Sequence, residues 1–234
     1  MSLTLIADNL VKVQQNIAEA ARKSGRSADD VSLVGVCKYF DADITRLVAE
    51  AGLLDLGENR PQQLWDKAAM LEQLPIRWHQ IGHLQRNKVR RTLPLIHLFH
   101  AADSLRLLKE INKEADRINT KQDVLLEVNV SGEEAKHGFA PQEMESVLEQ
   151  CAKLTSVRVR GLMAMAGLNS GIDGAAADFA SLRELQQRLL AFKPENVELG
   201  ELSMGMSRDY DIAIEHGATI VRVGSSLFEG LSRR

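Results

Sequence analysis

The sequence predicts a (β/α)8 barrel, on three observations. Eight short apolar or β-rich runs alternate with helix-like stretches, the chain is 234 residues long, and nothing in it resembles a linker, a low-complexity tract or an internal repeat. The runs are nearly continuous in apolar residues, as parallel strands covered on both faces are. A doubly wound open sheet is the alternative architecture, because closure leaves no mark in a sequence. The expectation is one domain over residues 1–234.

The chain opens with "TLIADNLVKVQQNIAEAARK" (4–23), an amphipathic helix and not a signal peptide. The strand candidates are "VSLVGVCK" (31–38), "LLDLGEN" (53–59), "IRWHQIG" (76–82) and "LIHLFHAAD" (95–103). They continue with "DVLLEVNV" (123–130), "VRVRGLMAM" (157–165), "VELGELSMG" (197–205) and "TIVRVGSSLF" (219–228). Helices are expected between them at 42–52, 60–73, 86–93, 104–119, 141–154, 174–192 and 208–216, several with start or stop signals such as Asp103-Ser104 and Gly217. Only about six residues follow the eighth strand. The leading helix is therefore expected to stand where a barrel's last helix would be.

Composition narrows the function. A net charge of −3 gives no general reason to expect nucleic acid or an anionic membrane as partner. Two cysteines, Cys37 and Cys151, are too few for a disulfide framework and fit a reducing compartment. No run approaches the ~20 apolar residues of a membrane span. The expectation is a cytoplasmic protein, monomer or weak dimer, with no nucleic-acid or membrane partner.

In a barrel, functional groups gather where strands end. Those ends carry Lys38, Asn59, His79 to His83, Asp103, Asn129 with Ser131, Met163 with Met165, Ser203 to Ser207, and Arg222 to Ser226. Lys38 shares a strand face with Val34 and Val36, opposite Gly35 and Cys37. Turned inward at a partly desolvated mouth, it would have a lowered pKa and an amine able to attack a carbonyl. A lysine snorkelling out of the strand end is the plainer reading.

"SMGMS" (203–207) and "VGSS" (223–226) each expose successive backbone N–H groups and hydroxyls. They fall after strands seven and eight, where barrels commonly bind phosphate; ordinary turns needing glycine are the alternative. Arg222 shares its face with Ile220 and Gly224, expected inward, against the alternative of an outward arginine on a helix carboxylate. A ligand with a phosphate, an aldehyde and a ring nitrogen satisfies all three features, and pyridoxal 5′-phosphate is such a ligand.

These segments resemble the pyridoxal-phosphate homeostasis proteins, single-domain barrels related to the N-terminal barrel of alanine racemase. The resemblance rests on "VGVCK", "GEN", "WHQIGHLQRNK", "VNVSGEEAKHG", "RGLMAMA", "LSMGMSRDYDIAI" and "GATIVRVGSSLF", in order along nearly the whole chain. It implies that Lys38 forms a Schiff base with the cofactor and that Arg222 faces the pyridine nitrogen. Ser207, Gly224 and Ser225 would hold the phosphate, with Asn59, Met163 and Ser203 in the same pocket. Departures are Arg208 where an acidic residue is common, Tyr39-Phe40 after the lysine, and Glu229 between Phe228 and Gly230.

An arginine on the pyridine nitrogen disfavours a proton there and weakens the ring as an electron sink. Tyr39 is expected on the side of its strand opposite Lys38, and Tyr210 is a candidate base. The expected role is a carrier and regulator of pyridoxal phosphate, serving pyridoxal-phosphate-dependent apo-enzymes, without strong turnover. The alternatives are a weak amino-acid racemase or another Schiff-base enzyme, a nucleic-acid module using "QRNKVRR" (85–91), and a metal site from His79, His83, His97 and His100. No cysteine or carboxylate motif completes that histidine set, so core or rim histidines are expected and no metal.

Overall fold

The computed structural model describes residues 2–133, 137–167, 171–194 and 197–231. Eight parallel strands pair in chain order and close, the eighth on the first. They are β1 (Ser32–Val36), β2 (Asp55–Glu58), β3 (Arg77–Gln80), β4 (Ile96–Ala102), β5 (Gln122–Glu127), β6 (Val157–Met163), β7 (Glu201–Ser203) and β8 (Ile220–Val223). Around them lie α1 (Ser2–Lys23), α2 (Ala42–Glu50), α3 (Pro61–Met70), α4 (Arg86–Thr92), α5 (Leu105–Arg117), α6 (Met144–Cys151), α7 (Gly171–Leu190) and α8 (Tyr210–Glu215). The fold is the expected (β/α)8 barrel, and closure rules out the open sheet.

The leading helix fills the ring. Ile6, Leu10, Val13, Ile17 and Ala21 recur every three or four residues and are buried. They pack α1 between α2 and α8, and buried Asn9 donates to the carbonyls of Leu227 and Glu229 at 3.2 and 2.9 Å. Those bonds seal the end of the chain against its beginning.

The last two strands are shorter than their sequence signals. β7 has three residues, and β8 stops at Val223 because the chain turns there, with Leu227 N donating to the Gly224 carbonyl at 2.9 Å. Cys37 and Cys151 are free and buried, and burial pushes each thiol up to about 12. Among the described residues, no helix is long and apolar enough to cross a membrane.

The basic stretch at 85–91 forms α4, whose Val89 and Thr92 are buried while Arg91 stacks on the Trp65 ring at 4.1 Å. That packing is the behaviour of a helix face within the ring.

Candidate functional site

β1 ends at Val36, although Cys37 N still donates to the Gly57 carbonyl. Lys38 and Tyr39 therefore lie in a turn, where strand alternation no longer holds. The Lys38 ammonium sits 5.1 Å from the Tyr39 ring centroid, on its face. The expectation that Tyr39 points away from Lys38 is thus wrong. Phe40 stacks on Phe228 with centroids 4.0 Å apart, tying this turn to the segment after β8. Lys38, half-buried, lines a cavity of about 610 Å³ with Tyr39, Phe40, Asn59, Arg60 and Gln63.

Asn59 is exposed at that cavity, and its placement depends on a glycine. A Cβ on Gly82 would lie 1.9 Å from Asn59 Oδ1. Beneath Lys38 is a pair the sequence reading missed. Lys67 of α3, almost wholly buried, bonds Glu58 and donates to the Cys37 carbonyl at 2.9 Å. It thereby fixes the peptide that carries Lys38. A lone lysine in the apolar pattern of "QLWDKAAM" was the available signal.

The two glycine–serine clusters do meet. Gly224 N donates to Ser207 Oγ at 3.0 Å, joining the turn after β7 to the turn after β8. Gly205 takes φ +87°, and a Cβ there would press on the Tyr210 backbone and the Ala213 side chain. Ser207 is half-buried and Ser225 exposed, so the rim between them opens to solvent. A Cβ on Gly224 would meet Val36, which sets this turn beside the exit of β1, two residues before Lys38.

Arg222 lies deeper. Its register partner on β1 is Val34, four residues before Lys38. The side chain turns inward and is 4% exposed, which excludes the outward reading. Nη1 donates to Ser203 Oγ at 2.6 Å and Nη2 to the Ala164 carbonyl at 3.1 Å. No carboxylate pairs with it among the described residues. Burial lowers its pKa to about 10, with Glu127 and Asp209 pulling the other way, so it stays cationic at neutral pH.

Met163, 1% exposed, is in register with Ser203 on one side and Glu127 on the other, so all three share the inner face. Glu127 is 5% exposed, and burial together with the neighbouring Asp103 charge pushes its carboxyl up.

Below Arg222 a polar chain runs through the barrel core. Ser203 Oγ is 2.9 Å from His100 Nδ1, His100 Nε2 is 2.9 Å from His79 Nδ1, and His79 Nε2 is 3.1 Å from Asp55 Oδ1. Arg77 Nε also donates to Asp55, at 2.6 Å, at the barrel's opposite mouth. One proton order satisfies every link. The carboxylate accepts from His79 Nε2–H, His79 Nδ1 accepts from His100 Nε2–H, and His100 Nδ1 accepts from the Ser203 hydroxyl. Ser203 Oγ then keeps its lone pairs for Arg222.

Burial holds both imidazoles below the ordinary histidine range, His100 by far the more, as this neutral arrangement requires. At Asp55, burial is outweighed by the bonds from His79 and Arg77, which hold the carboxyl well below its usual value. His79 was expected at the rim, but it is a core residue of the lower half.

The remaining expectations divide. Asn129 accepts from Ser131 and Gly132 and closes its own loop. The buried Tyr210 hydroxyl accepts from Asn16 of α1 at 3.1 Å and faces the helix ring, not the mouth. Arg208 is exposed, and Glu229 offers its carbonyl to Asn9. Of the four histidines weighed as a metal set, His79 and His100 are bonded to one another, whereas His83 pairs instead with Asp103.

The family model described as "Alanine racemase, N-terminal domain" matches residues 9–232. The chain is 39% identical over 221 residues to a protein named "Pyridoxal phosphate homeostasis protein" from Aquifex aeolicus, covering 94% of this chain and 96% of that one. The chain belongs to the pyridoxal phosphate homeostasis protein family. A Pseudomonas aeruginosa protein of the same name is 39% identical over 226 residues, covering 97% of this chain and 96% of that one. Among solved structures, PipY of Synechococcus elongatus PCC7942 with PLP bound has a TM-score of 0.85 at 32% identity. The match covers 95% of this chain and 99% of PipY. As in the sequence reading, this family is one of barrels akin to that of alanine racemase.

Proposed function

We propose that this protein binds pyridoxal 5′-phosphate and serves as a carrier and regulator of the cofactor in the cytoplasm, exchanging it with cofactor-dependent apo-enzymes. The observation that carries the reading is Arg222. A guanidinium buried to 4% exposure without a carboxylate leaves its Nε–H without a partner among the described residues, at the floor of the barrel mouth. A ring nitrogen, which accepts but carries no proton to give, suits that donor.

The surrounding residues fit the rest of the ligand. Lys38 supplies an amine on the neighbouring strand exit, and the amides and hydroxyls of Ser207, Gly224 and Ser225 supply donors for a phosphate. Ser203 holds Arg222, Met163 packs on the same inner face, and Asn59 edges the Lys38 cavity. Bound pyridoxal phosphate supplies an aldehyde for covalent attachment and, where its ring nitrogen is protonated, an electron sink. A cationic Arg222 opposes that protonation. With Tyr210 turned into the helix ring, no tyrosine base stands across the mouth from Lys38 among the described residues. Holding and releasing the cofactor therefore suits these groups better than turning over an amino acid.

The test is an absorbance spectrum of the purified protein mixed with pyridoxal phosphate, before and after borohydride, with peptide mass analysis. One pyridoxyl adduct on the Lys38 peptide, absent in Lys38→Ala, is expected. No adduct, or adducts spread over surface lysines that persist in Lys38→Ala, overturns the proposal.

A further inference from the structure

A second cluster of donors stands on the same rim, outside the residues assigned to the cofactor. His83 follows β3, Asp103 follows β4 and His137 follows β5. His83 Nδ1 is 2.7 Å from Asp103 Oδ2, and His137 Nδ1 is 3.9 Å from the same oxygen. All three ligand atoms lie within 4.8 Å of one another. The imidazoles stack, with centroids 4.8 Å apart and planes 18° from parallel, so both rings offer Nδ1 toward one carboxylate.

We propose that His83, Asp103 and His137 bind a divalent transition metal, of which zinc(II) suits the donors best. The carboxylate is the reason a cation is wanted there. The Asp103 side chain is 8% exposed and pairs with no lysine or arginine among the described residues. Beside it is a second carboxylate: register pairs Ala102 with Leu126, which brings Glu127 next to Asp103. Glu127 is 5% exposed, its carboxylate has no hydrogen-bond partner among the described residues, and it lies near both histidines. Two adjacent, largely buried carboxylates beside two imidazole nitrogens thus gather anionic and neutral-capable donors at one point of the rim, with Arg222 the charged group that also acts on Glu127.

The donor types select the metal. Two imidazole nitrogens with carboxylate oxygen suit zinc, while magnesium and calcium prefer all-oxygen sets. Tetrahedral zinc with bonds of about 2.0–2.1 Å sets its donors roughly 3.3 Å apart. Separations of 2.7 and 3.9 Å bracket that value, so small rotamer shifts suffice. The side chains of His83 and His137 are 49% and 67% exposed, giving an ion free entry. Glu127 or a water completes the fourth position.

The test uses the full-length protein, stripped with chelator and free of pyridoxal phosphate, so its outcome is separate from that of the cofactor proposal. Zinc chloride is titrated in competition with a chromophoric chelator. One zinc per chain is expected. His137→Ala, an exposed substitution that leaves folding intact, and Asp103→Asn should each weaken binding by more than the roughly 10–100-fold that loss of an outer-shell partner costs. X-ray absorption should show nitrogen and oxygen ligands and no sulfur. Well under one zinc per chain, unchanged affinity in His137→Ala, or sulfur in the coordination shell overturns the site and leaves a proton-shared His–Asp cluster in its place.

Discussion

Ser203 Oγ accepts from the Arg222 guanidinium at 2.6 Å while, among the described residues, its own hydrogen meets only His100 Nδ1, 2.9 Å away. A single hydroxyl thus fixes both the direction of the arginine and the proton order of two histidines. Ser203→Ala strips partners from two fully buried groups at once. The expected cost is about 1–3 kcal/mol in urea unfolding, with weaker pyridoxal phosphate binding besides. Met163→Leu, on the same inner face but apolar, should cost less than about 1.5 kcal/mol. Equal losses in the two variants would contradict the relay.

The buried histidines set an acid limit on stability. Their folded pKa values are depressed, so above the unfolded value of roughly 6.5 both states are neutral and the stability is fully present. As pH falls below that value the unfolded chain takes up protons that the folded core refuses. Stability should drop with a slope approaching about 1.4 kcal/mol per pH unit for each histidine. Asp55 adds a further loss at still lower pH, where its unfolded carboxyl protonates first. Chemical denaturation between pH 5 and 8 measures the slope, and a double His79→Gln, His100→Gln variant that still folds should flatten it.

Lys67 and Glu58 form a buried pair with one unbonded carboxylate oxygen, Oε2. Removing only the cation, in Lys67→Met, leaves that charge alone and should cost about 3–5 kcal/mol. Adding Glu58→Gln should restore part of it. Strict additivity in the double-mutant cycle would show that the pair is not coupled.

Ser207 links the turns after β7 and β8 through the Gly224 amide. Its removal should therefore act on the phosphate end of a ligand. Ser207→Ala is expected to weaken pyridoxal phosphate about tenfold, near 1.4 kcal/mol, and to leave unphosphorylated pyridoxal almost unaffected. Parallel fluorescence titrations with both ligands decide it: equal weakening of the two places Ser207 elsewhere.

Tyr210 is hydrogen bonded to α1. Tyr210→Phe should lower stability by about 1 kcal/mol and leave the spectrum of bound cofactor unchanged. A change in that spectrum would return the tyrosine to the mouth.

The local pattern alone was enough for the eight strands, the inward face of Arg222, and the convergence of the two glycine–serine clusters. These follow from period and from position at strand ends, which any barrel converts into a common rim. The leading helix was legible for the same reason, because its apolar stripe needs a partner that only a gap in the ring supplies. What the sequence concealed was depth and partnership. His79 reads as a rim residue, yet parallel register sets it low in the barrel, against Asp55 and His100. Lys67 reads as an ordinary helix lysine until Glu58 is brought beneath the β1 exit. His83 gives no sign of its neighbours, since Asp103 and His137 come from loops 20 and more residues away. Periodicity tells which way a side chain faces. Which group waits opposite it is decided by the stagger of closed strands and by the packing of helices around them, and both exist only once the barrel has shut.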